Sequence, residues 1–89
     1  MKSKVTANFR KLYAKLPPIV KRRARKAYLL WRNNPNSAGL YFKRVNDNLP
    51  IYSVRIGLDY RALGIVKGDT ITWYWIGKHD EYERLLKIG

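Results

Sequence analysis

The sequence predicts an α+β domain in which an antiparallel helix hairpin packs on a four-stranded, mainly antiparallel sheet and a short helix follows at the C-terminus. Three observations predict it. Apolar residues recur with helical spacing before residue 32, they alternate with polar residues between about residues 40 and 76, and helical spacing returns after Gly77. The chain has 89 residues without a visible linker or repeat, so residues 1–89 are expected to form a single domain.

Two helices are predicted in the first third of the chain. Apolar residues at positions 5, 9, 12, 13 and 16 form one stripe over about three helical turns. Pro17 ends this helix, and Pro18 suits the first turn of the next one. The apolar stripe of the second helix consists of Val20, Ala24, Ala27, Tyr28 and Trp31. An Asn- and Pro-rich stretch at 33–36 predicts its end.

Four strands are predicted next, at Leu40–Val45, around Tyr52–Ile56, at Tyr60–Val66 and at Thr70–Ile76. Turns are indicated at residues 57–59 and 67–69, where glycine and aspartate cluster. Trp73 and Trp75 are expected in the core, because strict alternation puts both on the same face as Ile71.

The charge of the chain is strongly positive and unevenly distributed. The formal net charge is +13, and all six acidic residues follow residue 46, whereas 13 of the 19 Lys and Arg residues precede it. Such a charge attracts a phosphate backbone, although an anionic membrane, an acidic protein or simple solubility are alternatives. The residues expected to bind such a polyanion, which would be RNA under the resemblance described below, are Lys21, Arg22, Arg23, Arg25, Lys26, Lys43, Arg44 and Lys78.

Several classes of protein are disfavoured by composition. The chain has no cysteine, one histidine and six acidic residues, so neither a metal site nor any other cofactor is expected. No stretch approaches the roughly 18 apolar residues that a membrane span needs. The N-terminus lacks the apolar segment of a secretory signal, so a cytoplasmic protein is expected.

Two groups of residues are candidates for chemistry. Arg55 is out of phase with the apolar residues of its strand, and Arg61 opens the next strand, so the two guanidinium groups could converge on one phosphate. The alternative is that both are solvated or pair with Asp59. His79, the only histidine, follows the last strand, and histidine can give and take a proton near neutrality. Tyr82 lies on the same helix face, but His79 could instead cap the helix or pair with an acidic neighbour, with Tyr82 in the core.

The run Tyr52–Gly64, the hairpin Ile65–Ile76 and the segment Gly77-Lys78-His79-Asp80-Glu81-Tyr82 resemble the RelE/ParE superfamily of toxins of toxin–antitoxin systems. The resemblance implies a RelE-like fold. Many members have a short strand before the first helix, and here that strand is expected to be absent, because the helical pattern begins almost at once.

The resemblance also implies an activity. Nucleases of this superfamily enter the ribosomal A site and cut mRNA by attack of the ribose 2′-hydroxyl on the adjacent phosphate, without a metal. By position, Arg55 would contact that phosphate, Arg61 would stabilise its charge and His79 would be the general acid. Tyr82 would stack a base or help proton transfer. The implied partners are the ribosome, mRNA and a cognate antitoxin with an acidic or amphipathic segment; the alternatives are a ParE-like gyrase inhibitor or a non-catalytic RNA-binding module.

Overall fold

The computed structural model describes the backbone of residues 1–88 and the side chains of residues 1–86. The elements in chain order are β1 (Lys2–Val5), α1 (Ala7–Ala14), α2 (Pro18–Asn33), β2 (Lys43–Arg44), β3 (Ile51–Ile56), β4 (Tyr60–Lys67), β5 (Thr70–Lys78) and α3 (His79–Ile88). The strands form one sheet in the order β1-β5-β4-β3-β2. The predicted α+β architecture, with two helices before the sheet and one after it, is confirmed.

The sheet has five strands rather than the predicted four, because a short strand does precede the first helix. β1 pairs in parallel with the first half of β5, and the Lys2 N–H donates to the Asp69 carbonyl at 2.7 Å. The helix then begins at Ala7, because the Thr6 side chain accepts a hydrogen bond from the Phe9 N–H at 3.0 Å and caps it. Val5, which the periodicity assigned to the helix, therefore belongs to the strand. No helix among the described residues is long and apolar enough to cross a membrane.

The two faces of the sheet differ in what covers them. α1 packs on β5 and α2 packs on β3, and the face beneath them, here called the helix face, carries the main core. That core is built around Trp31, Ile71, Trp73 and Ile76, all of which are buried. α3 covers part of the opposite face, here called the open face, over β4 and β5.

An irregularity in β5 changes which tryptophan enters the core. The β4–β5 register runs from Leu63 opposite Trp75 to Gly64 opposite Trp73, so Tyr74 is an extra residue. Trp73 therefore faces the helices with Ile71, as predicted, whereas Trp75 lies on the open face. The prediction for Trp75 is wrong, because a bulge reverses the alternation on which it rested.

The predicted strand Leu40–Val45 shrinks to the two residues Lys43 and Arg44. The reason is the backbone of Tyr41, whose φ of 47° lies in the left-handed region and cannot continue a strand. Leu40 is nevertheless buried in the core, so this loop is anchored to the domain.

Gly64 in the centre of β4 gives a test of the core. A Cβ atom there would lie 2.7 Å from Ile71 Cγ1 and 2.8 Å from Trp73 Cε3. We expect Gly64→Ala to lower the free energy of unfolding by about 1–3 kcal/mol, because the added methyl overpacks a closed core. Urea denaturation measures this, and Lys67→Ala at the exposed end of the same strand should change stability by less than about 0.5 kcal/mol. Equal stability of the two variants would contradict the packing described here.

Candidate active site

A groove of about 500 Å³ lies on the open face, between the end of α3 nearest the sheet and the strands β2 to β4. All four residues predicted to be catalytic line it, and these are Arg55, Arg61, His79 and Tyr82. They come from β3, β4 and α3, so the fold brings together side chains up to 27 positions apart in the chain.

The two arginines are neighbours because of the strand register. Arg55 and Arg61 are directly opposite one another in the antiparallel pair β3–β4, so both side chains leave the same face of the sheet. Main-chain carbonyls of the turn and of the start of β4 hold them. Arg55 Nε donates to the Gly57 oxygen at 3.1 Å, and Arg61 Nη1 donates to the Tyr60 oxygen at 2.8 Å. The remaining guanidinium N–H groups are available for a ligand.

This pair of like charges affects the ionisation of Arg61. Burial lowers the pKa of the Arg61 guanidinium, and the positive charge of Arg55 lowers it further, while Tyr82, Glu83 and Asp59 act in the opposite direction. Among the described residues, no carboxylate lies within 4.0 Å of either guanidinium, so the alternative in which Asp59 pairs with an arginine is not found. A site with two adjacent cations, neither of them in an ion pair with any described residue, favours a bound oxyanion.

His79 joins this site through its main chain. Its N–H donates to the Asp59 carbonyl at 2.7 Å, which ties the first residue of α3 to the β3–β4 turn. Its side chain faces an acidic neighbour, as one alternative reading of the sequence anticipated, because Nε2 lies 3.1 Å from Glu83 Oε1. The imidazole remains partly exposed. The groove therefore holds a proton donor and a carboxylate beside two arginines.

Tyr82 forms part of the buried floor of the groove. It is only 6% exposed, and its hydroxyl donates to the buried Ser53 Oγ at 3.3 Å. Its ring centroid is 5.9 Å from that of His79. Tyr82 therefore anchors α3 on the open face and supports His79, and its ring is not open to a base.

The predicted RNA-binding residues lie in three regions, namely β2, α2 and the end of β5. Lys43 and Arg44 line the groove. Lys21, Arg22, Arg25 and Lys26 lie on α2, which packs on the helix face, so they do not line the groove. Lys78 is exposed at the end of β5.

Arg23 connects the basic residues of α2 with the groove. Its Cδ lies 3.5 Å from the position that a Cβ of Gly57 would take, and Gly57 supplies the carbonyl that holds Arg55. The basic surface of α2 therefore reaches the end of the sheet where the groove begins.

Sequence reasoning missed two further groove residues, Tyr41 and Glu83. Tyr41 was assigned to a strand, and nothing in its pattern indicated a left-handed backbone. Glu83 was detectable, because it lies four residues after His79 and side chains at this spacing share a helix face. The described residues contain no group of three or more metal-ligating side chains.

The family described as ParE-like toxin domain matches residues 18–84, a range that includes every groove residue named as catalytic. No curated protein sequence matches the chain. Solved structures do. A chain of the RelB–RelE antitoxin–toxin complex from Methanococcus jannaschii is 21% identical, with 92% of this chain and 96% of that chain covered and a TM-score of 0.69.

Two structures from Escherichia coli are also similar. YafQ of strain BL21(DE3) is 12% identical, with 91% of this chain and 96% of that chain covered and a TM-score of 0.73. The isolated RelE toxin is 16% identical, with 99% of this chain and 98% of that chain covered and a TM-score of 0.67. At these identities the structural similarity shows only the fold, which is RelE-like. The family match covers most of the chain and shows its membership: the chain belongs to the ParE-like toxin domain family of the RelE/ParE superfamily.

Proposed function

We propose that residues 1–89 form a single toxin domain of a toxin–antitoxin system, which cleaves mRNA on the ribosome and thereby inhibits translation. The observation that carries the proposal is the shared groove of Arg55, Arg61 and His79. Adjacent cations and a positioned proton donor are the groups that phosphodiester cleavage by a ribose hydroxyl needs.

The reaction proposed is transfer to the 2′-oxygen. The 2′-hydroxyl of the substrate attacks the adjacent phosphorus, and the bond from phosphorus to the 5′-oxygen breaks, which leaves a 2′,3′-cyclic phosphate and a 5′-hydroxyl. Arg55 and Arg61 bind the non-bridging oxygens, on which negative charge increases. His79 gives its proton to the departing 5′-oxygen. These groups are sufficient for the transfer without a metal.

Glu83 is the proposed acceptor of the 2′-hydroxyl proton. It is the carboxylate among the groove-lining residues described, and it lies 3.1 Å from His79 Nε2. After cleavage the proton can pass from Glu83 to His79, so that both residues return to their starting states. Tyr82 assists proton transfer indirectly, by holding the imidazole in place from beneath.

The partners follow from charge. With a net charge of +13, the protein is suited to ribosomal RNA, and a cluster near the start of α2 would dock it there, in the cytoplasm. The cluster consists of Lys21, Arg22, Arg23, Arg25 and Lys26. The same charge suits a cognate antitoxin with an acidic or amphipathic segment that covers the groove. Complexes of RelB with RelE provide a precedent for such pairing in similar folds.

The test is a cleavage assay with purified protein and ribosomes stalled on a defined mRNA, in the presence of EDTA. We expect cuts within the codon displayed in the A site, with 2′,3′-cyclic phosphate ends, and almost no cutting of the same mRNA without ribosomes. Intact mRNA in both samples would refute the nuclease.

The family description favours a second candidate, a ParE-like inhibitor of DNA gyrase that acts by protein binding. This activity needs no groove of arginines. It predicts inhibition of gyrase supercoiling by the purified protein and DNA breaks with intact mRNA after induction, and the nuclease predicts neither.

A further inference from the structure

We propose that Tyr41 is a nucleobase-stacking platform at the mouth of the groove, on which a base of single-stranded RNA next to the scissile phosphate lies. The inference deepens the proposed function and rests on it for the identity of the ligand. Its grounds are the exposure of the ring, the backbone of Tyr41 and its contact with Arg55.

The backbone around Tyr41 forces its side chain outward. Leu40 before it is buried in the core, and Phe42 after it stacks on Tyr52 with ring centroids 5.0 Å apart and also contacts Trp31. Both neighbours point inward, so the side chain of Tyr41 between them points away from the core. The backbone of Tyr41 itself lies in the left-handed region, with a φ of 47°, and its ring is exposed.

This conformation is costly for a tyrosine and no core contact of its own ring compensates for it. Tyr41 is 61% exposed. Asparagine or glycine would adopt the same backbone more easily, and a polar residue would suit the same exposure better. A strained, exposed aromatic residue beside a cationic groove is typical of a binding role.

Arg55 holds the ring beside the phosphate site. The Arg55 N–H donates to the Leu40 carbonyl at 2.7 Å, which fixes the loop to β3. The Arg55 guanidinium carbon lies 5.1 Å from the centroid of the Tyr41 ring. One arginine thus contacts the aromatic ring and, as proposed, the reacting phosphate, so a base on the ring would be adjacent to the phosphate in the groove.

The other aromatic groove residue cannot take this role. Tyr82 is buried beneath His79 and hydrogen-bonded to Ser53, whereas most of the Tyr41 ring is accessible. Proteins bind single-stranded RNA largely by stacking bases on exposed aromatic side chains next to cationic groups. Stacking of this kind tolerates every base, because each base has an aromatic face.

The experiment measures binding of a short single-stranded RNA whose 2′-hydroxyls are methylated, so that it cannot be cleaved. Fluorescence anisotropy at fixed salt gives the Kd for this RNA and for copies that lack one base at each position in turn. We expect Tyr41→Ala to weaken binding of the complete RNA by about 5- to 150-fold, and Tyr41→Phe to bind like the wild type. Removing one particular base should weaken the wild type similarly and Tyr41→Ala hardly at all.

Two further variants separate stacking from other effects. Tyr41→Gly also removes the ring but accepts the left-handed backbone, so it should bind as weakly as Tyr41→Ala. Tyr28→Ala removes a tyrosine from α2 on the helix face and should leave the Kd unchanged. The proposal is overturned if Tyr41→Gly binds the RNA with the wild-type Kd, or if the wild type binds none of these RNAs. It is also overturned if, at every position, removing the base weakens binding by Tyr41→Ala as much as it weakens binding by the wild type.

The outcome is distinguishable from failure of the nuclease. If the wild type cleaved ribosome-bound mRNA and Tyr41→Ala bound RNA as tightly as the wild type, the nuclease would be supported and the stacking role would be refuted. If the wild type did not cleave mRNA but Tyr41→Ala lost RNA binding as expected, the stacking role would be supported and the nuclease activity would be refuted.

Discussion

Arg61→Ala is expected to reduce cleavage of ribosome-bound mRNA by about 100- to 1,000-fold, and to abolish growth arrest when the protein is expressed. The reason is that Arg61 is partly buried in the groove, opposite Arg55, where a fixed positive charge stabilises a phosphorane far better than water does. Cleavage rates under single-turnover conditions measure the effect.

Arg61→Lys and Arg32→Ala are the matched controls for this prediction. Arg61→Lys keeps the charge and loses the forked geometry, so it should fall between the wild type and Arg61→Ala. Arg32→Ala removes a cation from the exposed last turn of α2 and should cleave like the wild type. If Arg32→Ala and Arg61→Ala lost activity equally, net charge rather than the groove would account for the effect.

His79→Ala is expected to reduce the same single-turnover rate by about 100- to 10,000-fold, because the departing 5′-oxygen would lose its proton donor. The fold should survive this change. His79 is held through its main-chain N–H, which alanine retains, so thermal unfolding should be close to that of the wild type.

A substrate with sulfur in place of the departing 5′-oxygen tests the role of His79 as an acid. A thiolate leaves without protonation, so His79→Ala should cleave this mRNA at nearly the wild-type rate, whereas Arg61→Ala should remain impaired. Equal impairment of His79→Ala on both substrates would assign His79 to positioning instead.

The parts of the fold predicted best are those with strong periodicity or clear ends. α2 is bounded by Pro18 and by an Asn-rich stop. The predicted ends of β3, β4 and β5 agree with the observed ends to within about two residues. β1 was missed because four residues are too short for a period and its partner is about 68 positions away in the chain. The position of Trp75 was missed because a bulge depends on pairing, which local sequence does not encode.

Some residues of the candidate site were predictable from the sequence and others were not. Arg55 and Arg61 were predicted from strand phase and from their places beside the turn, and His79 as the only histidine, just after the last strand. The roles given to them came from the resemblance to the RelE/ParE superfamily. The separation of the α2 cluster from the groove was not predictable, because it depends on which face of the sheet the helix covers. The left-handed backbone of Tyr41 was not predictable either, because nothing in the residues around it indicates a positive φ.

The β3–β4 register has a consequence for how this protein can vary. Arg55 and Arg61 face each other only because three residues, Gly57 to Asp59, connect their strands. A change of loop length that slipped the pairing by one residue would turn one guanidinium to the far side of the sheet. The length of this connection therefore bears on the site, as does the identity of either arginine.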